Sequence, residues 1–359
     1  MHFHFRNCNN AFKGLVSSIH QDHIPVVCRP SRVGEILKIE EPVTITYTHP
    51  RERVLFNQAR DCNCFFHLFE ALWMLAGRND VAPLRYYNPR MAEYSDDGET
   101  FHGAYGHRWR NYPGDRHRLD QLLTIAANLK ADPNCRRQVL QVWDATRDLG
   151  NPGRDLPCNT QAYFSVRAEP DGNSTGTGPG SFLDMTVCNR SNDMVWGMLG
   201  ANVVHWSILQ EYLACRIGVG VGHYHQITNN LHVYTERWEP DKWLAEYDGD
   251  EPPLFYGNTV WPCAMPLVQD PERFDAEVNR FVDIIDGDYD EPFLQDVAQP
   301  MMAAFRRHKQ RQYIGDDNAA MNLIERVRAS DWRLAGRAWL NKRRENWNAK
   351  NREAGVDEA

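Results

Sequence analysis

Apolar and polar positions along the 359-residue chain follow two periods, and the switches between them outline the elements. In residues 155–167, DLPCNTQAYFSVR, Ala162, Phe164 and Val166 share one face and Tyr163, Ser165 and Arg167 the other. That period of two predicts a half-buried strand with Cys158 at its entry. β-Branched alternation across 40–58 predicts strands there, and 137–143 (RQVLQVW), 181–188 and 226–236 read the same way. Residues 65–77 (FFHLFEALWMLAG) are apolar almost all round and close on Gly77, the pattern of a buried helix with a glycine stop. Apolar residues at 204, 208, 209, 212, 213 and 217 set a helix over about 201–217, stopped by Gly218. Between two strands, 168–180 (AEPDGNSTGTGPG) reads as a glycine-rich hairpin connection. Beyond about residue 265 the character changes, and 270–286, 295–312 and 318–349 look helical. The chain therefore divides into a body, 1–265, and a helical extension, 266–359, packed on it.

Composition changes this picture little. The chain is 42% hydrophobic, with 11 Trp, 14 Tyr and 15 Phe, enough for a large core. A net charge of −8 argues against a nucleic-acid-binding surface, although a few arginines in one pocket could still hold a small anion. The basic segment near the end places Trp332, Trp339 and Trp347 at near-helical spacing; its aromatic side is expected to pack on the body. Nine cysteines show no disulfide spacing, and Cys62 and Cys64 read as core thiols. There is no leader-like apolar segment and no run of roughly 18 apolar residues. These features predict a reduced, soluble, cytoplasmic protein without a membrane span.

Several residues could carry chemistry. Glu70 is the only acid in the buried helix, where a carboxylate is costly unless paired or functional. Arg136 and Arg137 (CRRQV) stand at the mouth of one strand, and Arg190 and Ser191 (CNRSND) at the end of another; guanidinium forks there suit a phosphate. His223, His225 and His232 raise zinc, but the spacing is unspecific and no metal site is expected. The LHVY stretch instead puts His232 and Tyr234 on one face of a strand, where both can bond one hydroxyl-bearing ligand. Cys158 is either a nucleophile or a small side chain under a turn.

Taken in order, Glu70 in its apolar helix, GAYGHRWR, CRRQVLQVWD, LPCN, NRSNDMVWGMLGAN and LHVY resemble the thymidylate synthase family with its pyrimidine hydroxymethylase branch, over roughly residues 30–240. The resemblance implies an α+β fold built on a large twisted mixed sheet with packed helices, and a back-to-back homodimer. It implies Cys158 as the catalytic nucleophile, Glu70 as the organiser of water and proton transfer, and Tyr105 as an active-site tyrosine. Arg190 and Ser191 match the phosphate-binding pair. Arg136 and Arg137 match arginines reaching the partner's phosphate, and Arg32 a further phosphate arginine. Asn202 matches the residue that reads the pyrimidine edge, His232 and Tyr234 the pair on the sugar hydroxyl, and Asp193 the acid at the pterin. The co-substrate implied is 5,10-methylenetetrahydrofolate. Thiolate addition at carbon 6 of the pyrimidine would activate carbon 5 toward a one-carbon electrophile.

The sequence also departs from the family. Asn159 follows the cysteine where His is usual, and Asn189 replaces Gln before Arg-Ser. Met91 and Tyr94 stand where two tryptophans normally pack on the folate and the transferred carbon, and no closing C-terminal segment is recognisable. Losing that shield favours water over hydride at the exocyclic methylene. The expected activity is therefore 5-hydroxymethylation. Asn202 can donate and accept toward uracil, so dUMP is preferred as substrate. The alternatives are dCMP hydroxymethylation, true thymidylate synthesis giving dTMP, an inactive nucleotide- or nucleic-acid-binding homologue, and an unrelated cysteine hydrolase.

Overall fold

The computed structural model describes residues 1–113, 118–168, 180–248, 256, 264–314 and 318–353. Its strands are β1 (His2–Phe5), β2 (Val26–Ser31), β3 (Gly34–Ile39), β4 (Val43–Tyr47), β5 (Val139–Gln141), β6 (Asn159–Ala168), β7 (Ser181–Asn189), β8 (Asn192–Asp193), β9 (Gly220–Thr228) and β10 (Leu231–Tyr234). They form a six-stranded sheet, β1-β4-β9-β7-β6-β5, and a four-stranded sheet, β2-β3-β10-β8. Both are mixed, with β1/β4, β7/β9 and β8/β10 parallel. The helices are α1 (Cys8–His20), α2 (Cys64–Leu75), α3 (Val81–Tyr87), α4 (Tyr105–Arg110), α5 (Gln121–Ala131), α6 (Ala145–Asp148), α7 (Asn202–Ile217), α8 (Pro240–Leu244), α9 (Pro271–Asp283), α10 (Gln299–Ile314), α11 (Asn318–Ile324) and α12 (Ser330–Glu353). The α+β class is as expected, with a second, smaller sheet beside the large one. Among the described residues no helix is long and apolar enough to cross a membrane.

The core is organised around α2. Every residue of this helix except His67 is buried, because its sequence offers no polar face. Asn63 caps its start, accepting from the Phe66 amide at 3.0 Å. Gly77 ends it in the left-handed region, φ +70°. Helix α7 lies against α2 and stops at Gly218, φ +89°. At the start of α4 the chain passes so close to α2 that a Cβ on Gly106 would lie 2.1 Å from the Met74 carbonyl oxygen. Glycine there is what lets α4 approach and deliver Tyr105.

The structure corrects several boundaries. Of 40–58, only Val43–Tyr47 is a strand. Past Glu52 two amides bond to side chains rather than to a ladder: the Val54 amide donates to the Tyr256 hydroxyl (3.3 Å) and the Phe56 amide to Asn9 Oδ1 (2.9 Å). Arg53 is buried against Glu211. The expected strand 226–236 breaks after Thr228, and its two parts join different sheets. The helix expected over 318–349 is interrupted between α11 and α12. β1 and α1 escaped the pattern reading; β1 has only four residues and gains its order from parallel pairing with β4. The glycine-rich connection, apart from its ends, lies outside the described residues.

The C-terminal helices contact α2 and α7 of the body. Trp332 and Trp339 are buried while Trp347 is exposed. Trp339 sets its ring edge-on to Phe65 of α2 at 5.3 Å, and Arg343 stacks on Trp339 at 3.8 Å. Asp275 of α9 accepts from the Tyr212 hydroxyl (2.9 Å), Arg110 (2.7 Å) and Arg216 (2.8 Å).

At the start of α12, buried Asp331 accepts from the Tyr256 hydroxyl at 2.8 Å. Burial pushes its carboxyl up to about 6, above the unfolded value. The neutral acid is therefore the form the fold prefers, and its stabilising contribution is lost as pH rises through 6. Asp331→Asn should remove that dependence. The variant's stability relative to the native protein should improve by up to about 3 kcal/mol between about pH 4 and about pH 7.5. Urea unfolding at the two pH values checks this; parallel pH dependences would contradict it.

Candidate active site

Cys158 stands one residue before β6, at the corner where the large sheet meets the loop 149–157. Its amide donates to the Tyr105 hydroxyl at 3.2 Å, and its carbonyl accepts from the Arg190 amide at 3.0 Å. The Arg190 guanidinium donates to the Pro157 carbonyl (2.8 Å) and the Leu156 carbonyl (3.0 Å), and Nη2 comes within 3.7 Å of Cys158 Sγ. One arginine thus braces the loop and points a charge at the sulfur. Burial pushes the thiol up; Arg190 and, less strongly, Arg32 pull it back, while Asp155 opposes them. Burial also pushes the Tyr105 hydroxyl up, so it is neutral. Among the described residues the side chain bonded to the sulfur is an arginine, not the histidine that a cysteine hydrolase would use as its base.

The smaller sheet carries two more of the expected residues. His232 and Tyr234 project from β10 with rings at 90° and centroids 5.3 Å apart. The Tyr234 hydroxyl is raised by burial and by the charges of Asp193, Cys158 and Tyr94, and is lowered by Arg32. These five residues therefore share one electrostatic environment. Arg32, at the β2–β3 turn, is exposed and donates to the Arg154 carbonyl at 3.3 Å. Ser191, half-buried, links β7 to β8.

Asp193 begins a π-helical segment, Met194–Ala201, that runs directly into α7. Its Oδ1 accepts from the Trp196 amide at 2.5 Å, while Oδ2 is buried without a hydrogen-bond partner among the described residues. Burial raises this carboxyl. At the far end of the segment, Asn202 Nδ2 donates to Asn192 Oδ1 at 3.0 Å. Glu70, on α2, approaches His205 of α7, with Oε2 3.0 Å from Nε2.

The two departures flanking the cysteine turn out to be one contact. Asn159 is fully buried and its amide donates to the side-chain carbonyl of Asn189. Asn189 in turn donates to the Ile227 carbonyl (3.1 Å) and Thr228 Oγ1 (3.3 Å). The pair ties β6, β7 and β9 together immediately after Cys158.

Not every expected residue joins the cluster. Arg136 and Arg137 are exposed before β5, and among the described residues no bond joins them to this cluster. Met91 is half-buried in the 3-10 turn Pro89–Glu93, and Tyr94 just after it is 48% exposed. His223 and His225 face each other across 6.1 Å, but His225 Nδ1 is engaged by Thr46 Oγ1 at 2.8 Å, and His232 belongs to the other sheet. Pattern reading missed Arg60, Trp196 and His205. Arg60 is buried, donates to the Val195 carbonyl (3.2 and 3.1 Å) and stacks on Trp196 at 3.7 Å, with Arg237 over the same ring at 5.4 Å. The three-residue spacing from Asn202 to His205 was the available signal for the last.

The thymidylate synthase family model matches residues 55–253. The chain belongs to the thymidylate synthase family. Within that family it is similar to a deoxyuridylate hydroxymethyltransferase of Pseudomonas phage M6, 43% identical over 347 residues and 95% of each chain. A deoxyuridylate hydroxymethyltransferase of Bacillus phage SP01 is 34% identical over 269 residues, 73% of this chain and 64% of that protein. One from Delftia phage PhiW-14 is 29% identical over 198 residues, about half of each.

The bracing role of Arg190 in this thymidylate synthase family member has a direct test. In Arg190→Ala the thiol loses its principal stabilising charge, so less of it is thiolate at neutral pH. Alkylation of Cys158, followed by peptide mass mapping, should slow by about tenfold for each pKa unit of rise. An unchanged rate at Cys158 would mean the guanidinium does not act on the sulfur.

Proposed function

We propose that this chain is a deoxyuridylate 5-hydroxymethylase that takes its one-carbon unit from 5,10-methylenetetrahydrofolate. The observation carrying the reading is the contact of Cys158 with Arg190, in a chain 43% identical over 95% of its length to a deoxyuridylate hydroxymethyltransferase.

In this reading Arg190, Ser191 and Arg32 hold the 5′-phosphate, and His232 with Tyr234 bonds the sugar hydroxyl. Asn202, with one amide hydrogen already given to Asn192, keeps its carbonyl for uracil N3–H and its second hydrogen for O4. Cys158 adds through sulfur to carbon 6 of the base, and the electron pair released into the ring makes carbon 5 nucleophilic. The residues present fit a folate. The buried Asp193 Oδ2, unpartnered among the described residues, is an acceptor suited to the N–H edge of a pterin, and the family resemblance assigns Met91 and Tyr94 to the folate as well. When bound, methylenetetrahydrofolate supplies the carbon as an electrophile. Tyr105, neutral and bonded to the Cys158 amide, holds the nucleophile's backbone in place. Glu70 takes the proton of the water that ends the reaction. With the half-exposed Tyr94 as border rather than an enclosing indole, water has access to the methylene on carbon 5.

The test is incubation with dUMP or dCMP and methylenetetrahydrofolate, with mass spectrometry of the nucleotide. A gain of CH2O on dUMP is expected; a gain of CH2 would mean thymidylate synthesis, and preferential conversion of dCMP would reassign the base. Cys158→Ala should bind dUMP yet yield no product and no exchange of the carbon 5 hydrogen. Turnover by that variant would rule out covalent catalysis.

Arg136 and Arg137 are read as reaching the phosphate of a second copy, since they are exposed and away from their own chain's cluster. An Arg136→Ala/Arg137→Ala double variant and Cys158→Ala should each be inactive alone. Mixed, they should recover part of the native activity, because one site of the heterodimer is then intact. No recovery, together with a monomeric mass in solution, would refute the shared site.

A further inference from the structure

We propose that His205 is a positioning residue that acts through Glu70, orienting its carboxylate and accepting the proton that this carboxylate collects in each turnover. The inference rests on the reading of the chain as a nucleotide hydroxymethylase.

His205 lies in the first turn of α7, three residues after Asn202, and so on the same face of the helix as the base-reading position. It is 3% exposed. Its Nε2 is 3.0 Å from Glu70 Oε2, yet that approach is off the hydrogen-bond axis, and neither ring nitrogen has an aligned partner among the described residues. A buried imidazole with both nitrogens uncommitted is costly as packing material. Uncommitted nitrogens are, however, what a group needs if it must alternate between accepting and releasing a proton. The ionisable groups around the pair are His67, one turn before Glu70 on α2, and Arg60. Desolvation of its half-buried ring, reinforced by His205 and Arg60, holds the His67 imidazole well below its ordinary range, so it stays neutral and does not compete for the proton. Both groups close the cluster from behind: a Cβ on Gly200 would lie 3.2 Å from Arg60 Nη2 and 3.8 Å from His67 Cε1.

The step that uses this pair balances as follows. The water oxygen forms a bond to the methylene carbon on carbon 5, and the π electrons of that double bond move into the ring. The water's proton passes to Glu70. The ring electrons then restore the double bond between carbons 5 and 6, and the bond from carbon 6 to Cys158 sulfur breaks, returning a thiolate. Glu70 is left protonated and must discharge before the next water adds; His205 Nε2, 3.0 Å from Oε2, is an acceptor within reach.

His205→Gln and His205→Ala, made in the full-length protein, test the assignment with dUMP and methylenetetrahydrofolate. The expected result is a loss of about ten- to a hundredfold in kcat with little change in KM for dUMP. The acid limb of the kcat profile should move to higher pH, because a buried carboxyl without its imidazole is harder to ionise. A residue that merely fills the core would change the melting temperature without moving that limb. If the alanine variant does not fold, the glutamine variant and a Glu70→Gln/His205→Gln double variant still decide the matter. Acting through Glu70 means that His205→Gln adds nothing to the loss caused by Glu70→Gln alone. A native-like kcat and acid limb in His205→Gln, or full additivity in the double variant, overturns the assignment while leaving the hydroxymethylase reading intact. Absence of hydroxymethyl product from the native protein overturns both.

Discussion

The packing of α2 against α7 is the constraint on which the site depends. Both helices are buried over nearly their whole surface, and each large apolar side chain contributes roughly 1.5–3 kcal/mol to holding them there. Hydrophobic burial alone is tolerant of rotation, since one leucine face resembles another. The polar exceptions remove that tolerance. Glu70 and His205 meet across the interface at 3.0 Å, and turning either helix would leave a carboxylate in hydrocarbon at a cost of several kcal/mol. The apolar majority thus fixes that the helices pack, and the polar minority fixes how they are turned. Asn202 inherits its direction from that choice.

A second constraint works from the sheet side. Cys158 sits on a strand end that would otherwise fray, and three devices hold it. Arg190 clamps the preceding carbonyls. Tyr105 takes the cysteine's amide, delivered by a helix that only Gly106 allows so near. Asn159 and Asn189 lock β6 to β7 beneath it. Two asparagines replacing a histidine and a glutamine therefore act as one change: each supplies what the other needs, and the pair spends on sheet cohesion a side chain that could have faced the base.

Much of this was legible in the chain. β6, β7, α2 and α7 showed in their periods and their glycine stops, since those elements are long and bury either one face or all of them. Cys158, Glu70, Arg190 and Asn202 stood in recognisable surroundings. Other features left no local trace. The stretch 48–57 looks like a strand because its side chains alternate, but its amides bond to Asn9 and Tyr256, residues remote in sequence. The break between β9 and β10 hides inside an apolar run because both halves are strands and only their sheets differ. His205 reads as a polar interruption in a helix; its meaning comes from a glutamate 135 positions earlier in the chain.

The π-helical segment Met194–Ala201 carries one more consequence. A π turn holds an extra residue and is less stable than the α-helix it leads into, so its geometry is kept by what grips its ends. Those ends are Asp193, against the proposed pterin, and Asn202, against the proposed pyrimidine. In that reading two ligands grip opposite ends of one eight-residue segment, and the length that the first imposes is the length that the second meets. Any resulting change in affinity is reciprocal, equal in size and sign for the two. The irregular segment is then a mechanical link between the two proposed sites.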